Sequence, residues 1–135
     1  MPETPLLCTP LLREHVVGGA TVVALYGEID ILTAPPISAR LDVLTAGPQP
    51  ELVLDLRTVA FMDCRGLALL CRARNRVQTR GGRIRLVVDN PHVLRLLRRA
   101  ELGQAFDLYP SLLGALPAVP GRTSRSGAGA APPAG

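Results

Sequence analysis

The sequence predicts a mixed α/β fold with the element order β-β-α-β-α-β-α-β-α and helices mainly on one face of the sheet. Two apolar runs separated by Gly18-Gly19 open the domain, as a hairpin would. Short apolar runs then alternate with stretches of helical period, so that each later strand is followed by a helix. Because such crossovers are right-handed and join parallel strands, we expect a mixed sheet that is antiparallel only at the hairpin.

The hairpin is predicted from β-branched or apolar residues at 11–17 and 20–26. The glycine pair between them supplies the positive φ that a tight turn requires. An irregular, proline-containing lead-in is expected over residues 1–9, and a loop is predicted for Gly27-Glu28-Ile29-Asp30 after the second strand.

A helix is predicted to follow this loop. Thr33 is suited to cap it, and its first turn tolerates Pro35 and Pro36. Three apolar residues share one face of this helix at i, i+4 and i+7: Ile37, Leu41 and Leu44. The glycine and prolines of residues 47–50 end it.

The centre of the domain is predicted to be a short apolar strand followed by the longest helix. Residues 52–56 are nearly all apolar, as a central strand buried on both sides would be. The helix is predicted over Cys64–Arg80, and Gly81-Gly82 is suited to a left-handed cap at its end. Its core face consists of Gly66, Leu70, Ala73 and Val77. A separate basic stripe consists of Arg65, Arg72 and Arg76.

The remaining elements are shorter. A strand at 84–88 leads to Asn90-Pro91, a cap followed by proline at the first helical position. In that helix Val93, Leu94 and Leu97 are predicted to face inward, and Arg95, Arg98 and Arg99 to face water. A strand at 106–108 and a helix capped by Ser111 complete the predicted domain, residues 10–116. Residues 117–135 are rich in Pro, Gly, Ala and Ser, so a flexible tail is expected.

The cysteine and histidine contents exclude several classes of protein. Three cysteines, Cys8, Cys64 and Cys71, are too few for a disulfide framework, and the last two lie roughly 10 Å apart along one helix. His15 and His92 are isolated, so we expect no metal and no cofactor. No apolar run approaches the roughly 18–20 residues of a membrane span, and no secretory signal is visible, so a cytoplasmic location is expected.

The net charge of +4 comes from arginine alone, because the chain has no lysine. Compositional bias and solvated helix faces explain this better than nucleic-acid binding, and two Tyr, two Phe and no Trp form no stacking platform. We therefore expect neither nucleic acid nor a membrane as a partner. Since no lysine-containing phosphate loop and no Ser/His/Asp arrangement is present, we expect no enzyme.

Five motifs follow one another in a distinctive order and spacing: Gly27-Glu28-Ile29-Asp30, Leu54-Asp55-Leu56, Phe61-Met62-Asp63-x-x-Gly66-Leu67, Gly81-Gly82, and Leu102-Gly103 to Phe106 with Ser111 and Ala115. With these motifs, residues 10–116 resemble the STAS domain, and within it the anti-sigma factor antagonists. The resemblance implies a STAS fold and a function in protein binding. The implied partner is an anti-sigma factor that is also a serine kinase, and docking on it releases a sigma factor.

The resemblance also implies a partner-binding surface. Its implied residues are Asp30, Asp63, Cys64, Arg65, Gly66 and Leu67. In the family, the kinase phosphorylates the residue directly after the motif aspartate, and the added negative charge breaks the interface. Here this phosphoacceptor position is Cys64, which has no hydroxyl, and Arg65 places a fixed positive charge where the family has a small hydroxyl residue.

Several interpretations stay open. Cys64 is the remnant of a lost switch, a redox-sensitive thiol or a buried packing residue. Asp63 either contacts the partner or only caps a helix. Asp30 and Glu28 either belong to the rim of the binding surface or form a polar loop that caps the next helix. The arginine stripe either complements an acidic partner or is a solvated face. The whole protein either antagonises a kinase-type anti-sigma factor or is a scaffold that assembles with other STAS proteins without acting on a sigma system.

Overall fold

The computed structural model describes residues 12–116, so the predicted lead-in and tail lie outside the described residues. The elements follow the predicted order. The strands are β1 (Leu12–Val17), β2 (Ala20–Ile29), β3 (Glu51–Met62), β4 (Arg83–Val87) and β5 (Asp107–Tyr109). The helices are α1 (Ala34–Leu44), α2 (Cys64–Thr79), α3 (Pro91–Arg99) and α4 (Leu112–Ala115). Within these residues, no helix is long and apolar enough to cross a membrane.

The five strands form one sheet whose spatial order equals the chain order, β1-β2-β3-β4-β5. β1 and β2 are antiparallel, whereas β2–β3, β3–β4 and β4–β5 are parallel, which confirms the predicted mixed sheet. Because the order never reverses, right-handed crossovers bring every connecting helix to the same face. α1, α2 and α3 accordingly share one core with the sheet, and α4 packs on the other face.

The main core lies between the sheet and these three helices. Its fully buried centre includes Leu54 and Leu56 of β3, Ile37 of α1, Leu70 of α2 and Leu97 of α3. The predicted inward faces of the three helices are therefore confirmed. A smaller apolar cluster on the opposite face contains Ala20, Val22, Val53, Val87 and Ala115.

β2 and β3 are both longer than predicted. Gly27 to Ile29, predicted as a loop, belong to β2, because Glu28 pairs with Phe61 and Ile29 pairs with Met62. Gly27 has a φ of 75° where the register between the two strands shifts. The loop-like composition of this segment therefore marks an irregularity inside a strand. Pairing with β3 keeps the segment in the strand in spite of that composition.

The helix ends depend on polar side chains and glycine. Asp63, Asn90 and Ser111 each accept a hydrogen bond from a backbone N–H in the first turn of α2, α3 and α4. Thr33 occupies the cap position of α1, but its side chain makes no capping hydrogen bond to that helix. Gly81 has a φ of 72° after α2, which confirms the predicted left-handed residue there.

Candidate functional site

The amino ends of α1, α2 and α3 lie together at one edge of the sheet. Each of these helices follows one of the strands β2, β3 and β4, which run parallel to one another, so each helix begins at the carboxyl edge. Open α/β sheets commonly place their binding residues at this edge. The β2–α1 loop brings Asp30 there, and the first turn of α2 brings Asp63 to Leu67.

The β2–α1 loop is closed by hydrogen bonds of Asp30 and Thr33. Oδ1 of Asp30 accepts from the backbone N–H of Leu32 at 2.9 Å and of Thr33 at 3.1 Å. The Thr33 hydroxyl donates to the Glu28 carbonyl at 2.7 Å and accepts from the Asp30 N–H at 2.9 Å. The structure thus gives Asp30 the role of loop capping, and the loop holds Ile31 and Leu32 outward, 59% and 80% exposed.

Asp63 caps α2 and ties its first turn to β2. Its Oδ1 accepts from the backbone N–H of Arg65 at 2.8 Å, and its own N–H donates to the Ile29 carbonyl at 3.3 Å. The partial positive charge of the helix start also favours a carboxylate in this place. Asp63 remains partly accessible to solvent, so the capping role leaves part of the residue at the surface.

Gly66 brings the first turn of α2 directly onto the sheet. A Cβ at this position would lie 2.2 Å from Cγ of Met62 and 3.2 Å from Cγ2 of Ile29, so no larger residue fits without movement. Gly66 is buried, whereas Leu67 is half-buried and packs against the main core. Gly66 and Leu67, two of the contact residues that the resemblance implies, therefore lie beneath the surface and hold α2 in position.

Cys64 and Arg65 are exposed in the same turn. The interpretation of Cys64 as a buried packing residue is wrong for this reason. The lost switch and the redox-sensitive thiol both stay predictions. Cys71, one of the residues between the core face and the surface of α2, is half-buried.

Exposed apolar side chains extend this surface in a way that the sequence analysis missed. Phe61, at the end of β3, is 42% exposed and stacks on the ring of His92 from α3, with 6.0 Å between ring centroids. Asn90 joins the same two elements, because its Nδ2 donates to the Val59 carbonyl at 2.9 Å. The sequence contains one signal for these exposed apolar residues: Ile31-Leu32 and Phe61 stand close to the capping aspartates Asp30 and Asp63. We call Asp30, Ile31, Leu32, Phe61, Asp63, Cys64 and Arg65 together the carboxyl-edge face.

A cleft of about 270 Å³ runs from this face between α1 and α2. The residues that line it are Ile31, Ala34, Pro35, Ser38, Arg65, Ala68, Leu69 and Arg72. Its walls are mostly apolar, and Arg65 and Arg72 are the cations among them. The cleft was not predicted, because it depends on how two separate helices pack.

The predicted arginine stripe of α2 is divided by Asp42 of α1. Arg72 binds this carboxylate through two atoms, at 3.0 and 2.8 Å, and Nε of Arg76 lies 3.3 Å from it. The hydrogen bonds from Arg72 are the main reason why the pKa of Asp42 is lowered, with smaller contributions from the charges of both arginines. Arg72 and Arg76 therefore hold α1 against α2, and Arg65 is the member of the stripe on the carboxyl-edge face.

The carboxyl-edge face is mixed in chemical character. It combines two capping carboxylates, an exposed thiol, an arginine and three exposed apolar side chains. The part of the chain between residues 12 and 116 has no group of three or more His, Cys, Asp or Glu that could hold a metal ion.

Comparison with known proteins gives one consistent result. The sequence profile of the STAS domain matches residues 13–115. The chain is 30% identical over 99 residues to an anti-sigma F factor antagonist of Paenibacillus polymyxa, covering 73% of this chain and 85% of the relative. It is 29% identical over 103 residues to the anti-sigma-F factor antagonist RsfA of Mycobacterium tuberculosis, and the match covers 74% of this chain and 80% of RsfA.

Among solved structures, the fold is similar to the crystal structure of an anti-sigma factor antagonist from Mycobacterium paratuberculosis. The TM-score is 0.71 at 31% sequence identity, and the match covers 77% of this chain and 88% of that one. The residues matched by the profile include every described strand and helix apart from Leu12 at the start of β1. This chain belongs to the STAS domain family.

Proposed function

We propose that this protein is an anti-sigma factor antagonist that binds a kinase-type anti-sigma factor and so frees a sigma factor for transcription. The names of its relatives from Paenibacillus and Mycobacterium support this role. It acts by binding a protein rather than by catalysis, and the carboxyl-edge face is its docking surface.

The observation that carries the proposal is the pair of exposed apolar residues in a closed loop. Ile31 and Leu32 extend into solvent although four hydrogen bonds of Asp30 and Thr33 hold their backbone in one conformation. Exposed apolar groups with a polar rim are typical of protein interfaces. A loop that is already ordered loses little conformational entropy on binding, which favours affinity.

Cys64 determines how such a complex would be controlled. A serine kinase transfers phosphate to a hydroxyl, and the residue after Asp63 has a thiol instead. We infer that this antagonist is not released by phosphorylation at position 64, so that its complex persists in the presence of ATP.

The test is to mix the purified chain with each kinase-type anti-sigma factor of its source, with ATP, and to measure binding and phosphate incorporation together. We expect one of them to bind without phosphorylating the chain. Leu32→Asp should weaken this binding about 30-fold, because burying a leucine contributes about 2 kcal/mol. Leu113→Asp is the matched control, since Leu113 is also 80% exposed but belongs to α4 on the other face.

The variant Cys64→Ser separates the role of position 64 from that of the rest of the face. It should bind as the wild type does and should gain phosphate, after which the complex dissociates. Phosphate incorporation into the wild type would contradict the proposed loss of the switch. Absence of binding to every anti-sigma factor would instead favour a scaffold that assembles with other STAS proteins.

A further inference from the structure

The cleft between α1 and α2 combines apolar walls with an excess of positive charge. Two guanidinium groups line the cleft, those of Arg65 and Arg72, and Arg72 is paired with the carboxylate of Asp42. The charge of Arg65 therefore remains. The capping carboxylates of Asp30 and Asp63 lie at the amino ends of α1 and α2, so the surface is acidic at its tip and basic along the cleft.

Arg65 has no structural role that accounts for it. Arg72 and Arg76 both bind Asp42, whereas Arg65 forms no ion pair with any residue between 12 and 116. It stands in the first turn of α2, where the positive end of the helix dipole disfavours a cation. A charged side chain that pairs with none of the residues 12–116 is more readily explained by contact with another molecule.

We propose that the cleft receives an apolar side chain of the anti-sigma factor and that a carboxylate beside that side chain pairs with Arg65. This inference rests on the proposed function and identifies the chemistry of the partner surface. The apolar anchor lies against Ala34, Ala68 and Leu69, and the carboxylate lies at the rim. Arg65 is then a specificity determinant: it selects a partner that is acidic opposite the first turn of α2.

The position of the cleft favours a protein segment over a small molecule. Its wall includes Ile31, which belongs to the carboxyl-edge face, so one partner surface can cover both. A partner carboxylate opposite Arg65 also gives the charge complementarity that directs docking.

The experiment compares Arg65→Ser and Arg65→Glu with the wild type in binding to the anti-sigma factor found by the assay above. Affinity should fall about 10-fold for Arg65→Ser, because the partner carboxylate at the rim loses its counter-charge, and about 100-fold for Arg65→Glu, because two like charges then face each other. Both differences should shrink between about 0.05 and 0.5 M NaCl. Arg99→Glu is the matched control, because Arg99 is exposed in the last turn of α3, at the opposite end of the sheet. It should change affinity less than about twofold.

A charge exchange then identifies the partner group. Each exposed Asp or Glu of the anti-sigma factor is changed to Arg, and the variant that restores binding of Arg65→Glu marks the counter-ion. If both Arg65 variants bind like the wild type at low salt, the inference is overturned while the proposed function stands. If the wild type binds no anti-sigma factor, both are overturned. Unchanged melting temperatures of the variants exclude loss of folding as the cause of weaker binding.

Discussion

The hydrogen that Gly66 carries in place of a side chain determines how closely α2 approaches the sheet. The atoms that a Cβ would meet belong to Met62 and Ile29, which are both buried almost completely. The close approach in turn sets the height of Cys64 and Arg65 above the edge of the sheet. A residue inside the core thus controls the shape of the carboxyl-edge face without being part of it.

We expect Gly66→Ala to destabilise the protein by about 1–2 kcal/mol. Overpacking of this kind costs about 1–3 kcal/mol, and the better helix propensity of alanine recovers at most about 1 kcal/mol of that. Urea denaturation followed by circular dichroism measures the change. Binding of the anti-sigma factor should weaken as well, because the first turn of α2 must move outward.

Gly114→Ala in α4 is the matched control for this change. A Cβ there meets no atom closer than 3.4 Å, so the free energy of unfolding should stay the same or rise slightly. Equal stabilities of the two alanine variants would show that the contact with Met62 relaxes without cost.

At the scale of the elements, two contacts differ in kind: one joins α1 to α2, and the other joins the turn after α2 to the start of β3. α1 and α2 are joined by polar groups, because Asp42 binds Arg72 and Arg76 across the cleft. The turn between α2 and β4 is joined to the start of β3 by backbone contact instead. Gly82 lies against Pro50 there, and the N–H of Arg83 donates to the Pro50 carbonyl at 2.8 Å.

Gly82→Ala should be more damaging than Gly66→Ala, with a loss of about 3 kcal/mol. A Cβ at Gly82 would lie 2.0 Å from the Pro50 carbonyl oxygen, a backbone atom that cannot rotate away. For a domain of about 100 residues, such a loss lowers Tm by roughly 12–20 °C. Gly47→Ala is the control, because a Cβ there meets nothing within 4 Å, and its Tm should stay within about 2 °C of the wild type. A similar Tm for both variants would contradict the role of this contact.

At the scale of the whole molecule, two ion pairs link stability to pH. The pKa of Asp42 is lowered chiefly by hydrogen bonds from Arg72. Burial raises the pKa of Asp55 in β3, but the hydrogen bonds and the charge of Arg57, with the charge of His15, outweigh it and leave the pKa lowered. Carboxyl groups of this kind have a pKa of about 3.9 in an unfolded chain. The pairs therefore stabilise the fold above that pH, and this stabilisation is lost as the pH falls through the lower folded values.

We expect the free energy of unfolding to be nearly constant between about pH 5 and 7 and to decrease below about pH 4. Asp55→Asn should be less stable than the wild type at pH 7, because Arg57 loses the carboxylate that it binds at 2.9 and 2.8 Å. Its stability should also decrease less steeply in acid. Denaturation curves at several pH values measure both effects.

Asp107→Asn provides the comparison, since Asp107 is exposed on β5 and pairs with no cation among the described residues. Its acid dependence should equal that of the wild type. An equally steep loss of stability in Asp55→Asn would mean that the acid dependence arises elsewhere.

The order and type of the elements could be predicted because their signals are local: alternating apolar runs, Asn90 before Pro91, and Gly81 after α2. The lengths of β2 and β3 could not be predicted, because the pairing of Glu28 with Phe61 overrides the loop-like composition of residues 27–30. The capping of α2 by Asp63 was one of two open readings, whereas the contact of Gly66 with Met62 and the binding of Arg72 to Asp42 depend on distances between separate elements. The cleft depends on the same distances, and of the residues that line it only Arg65 and Arg72 were singled out from the sequence.

The strand order that equals the chain order has a consequence for synthesis on the ribosome. Each new strand adds to the free edge of the strand made just before it, so no strand has to insert between two that are already paired. The hairpin of β1 and β2 can form while the rest of the chain is still being made, and each following β–α unit then extends the sheet. Each of these pairings joins strands that follow one another in the chain, so assembly can proceed in step with translation. The last described strand, β5, has only three residues, so the sheet edge that it forms is short and offers little for another chain to pair with.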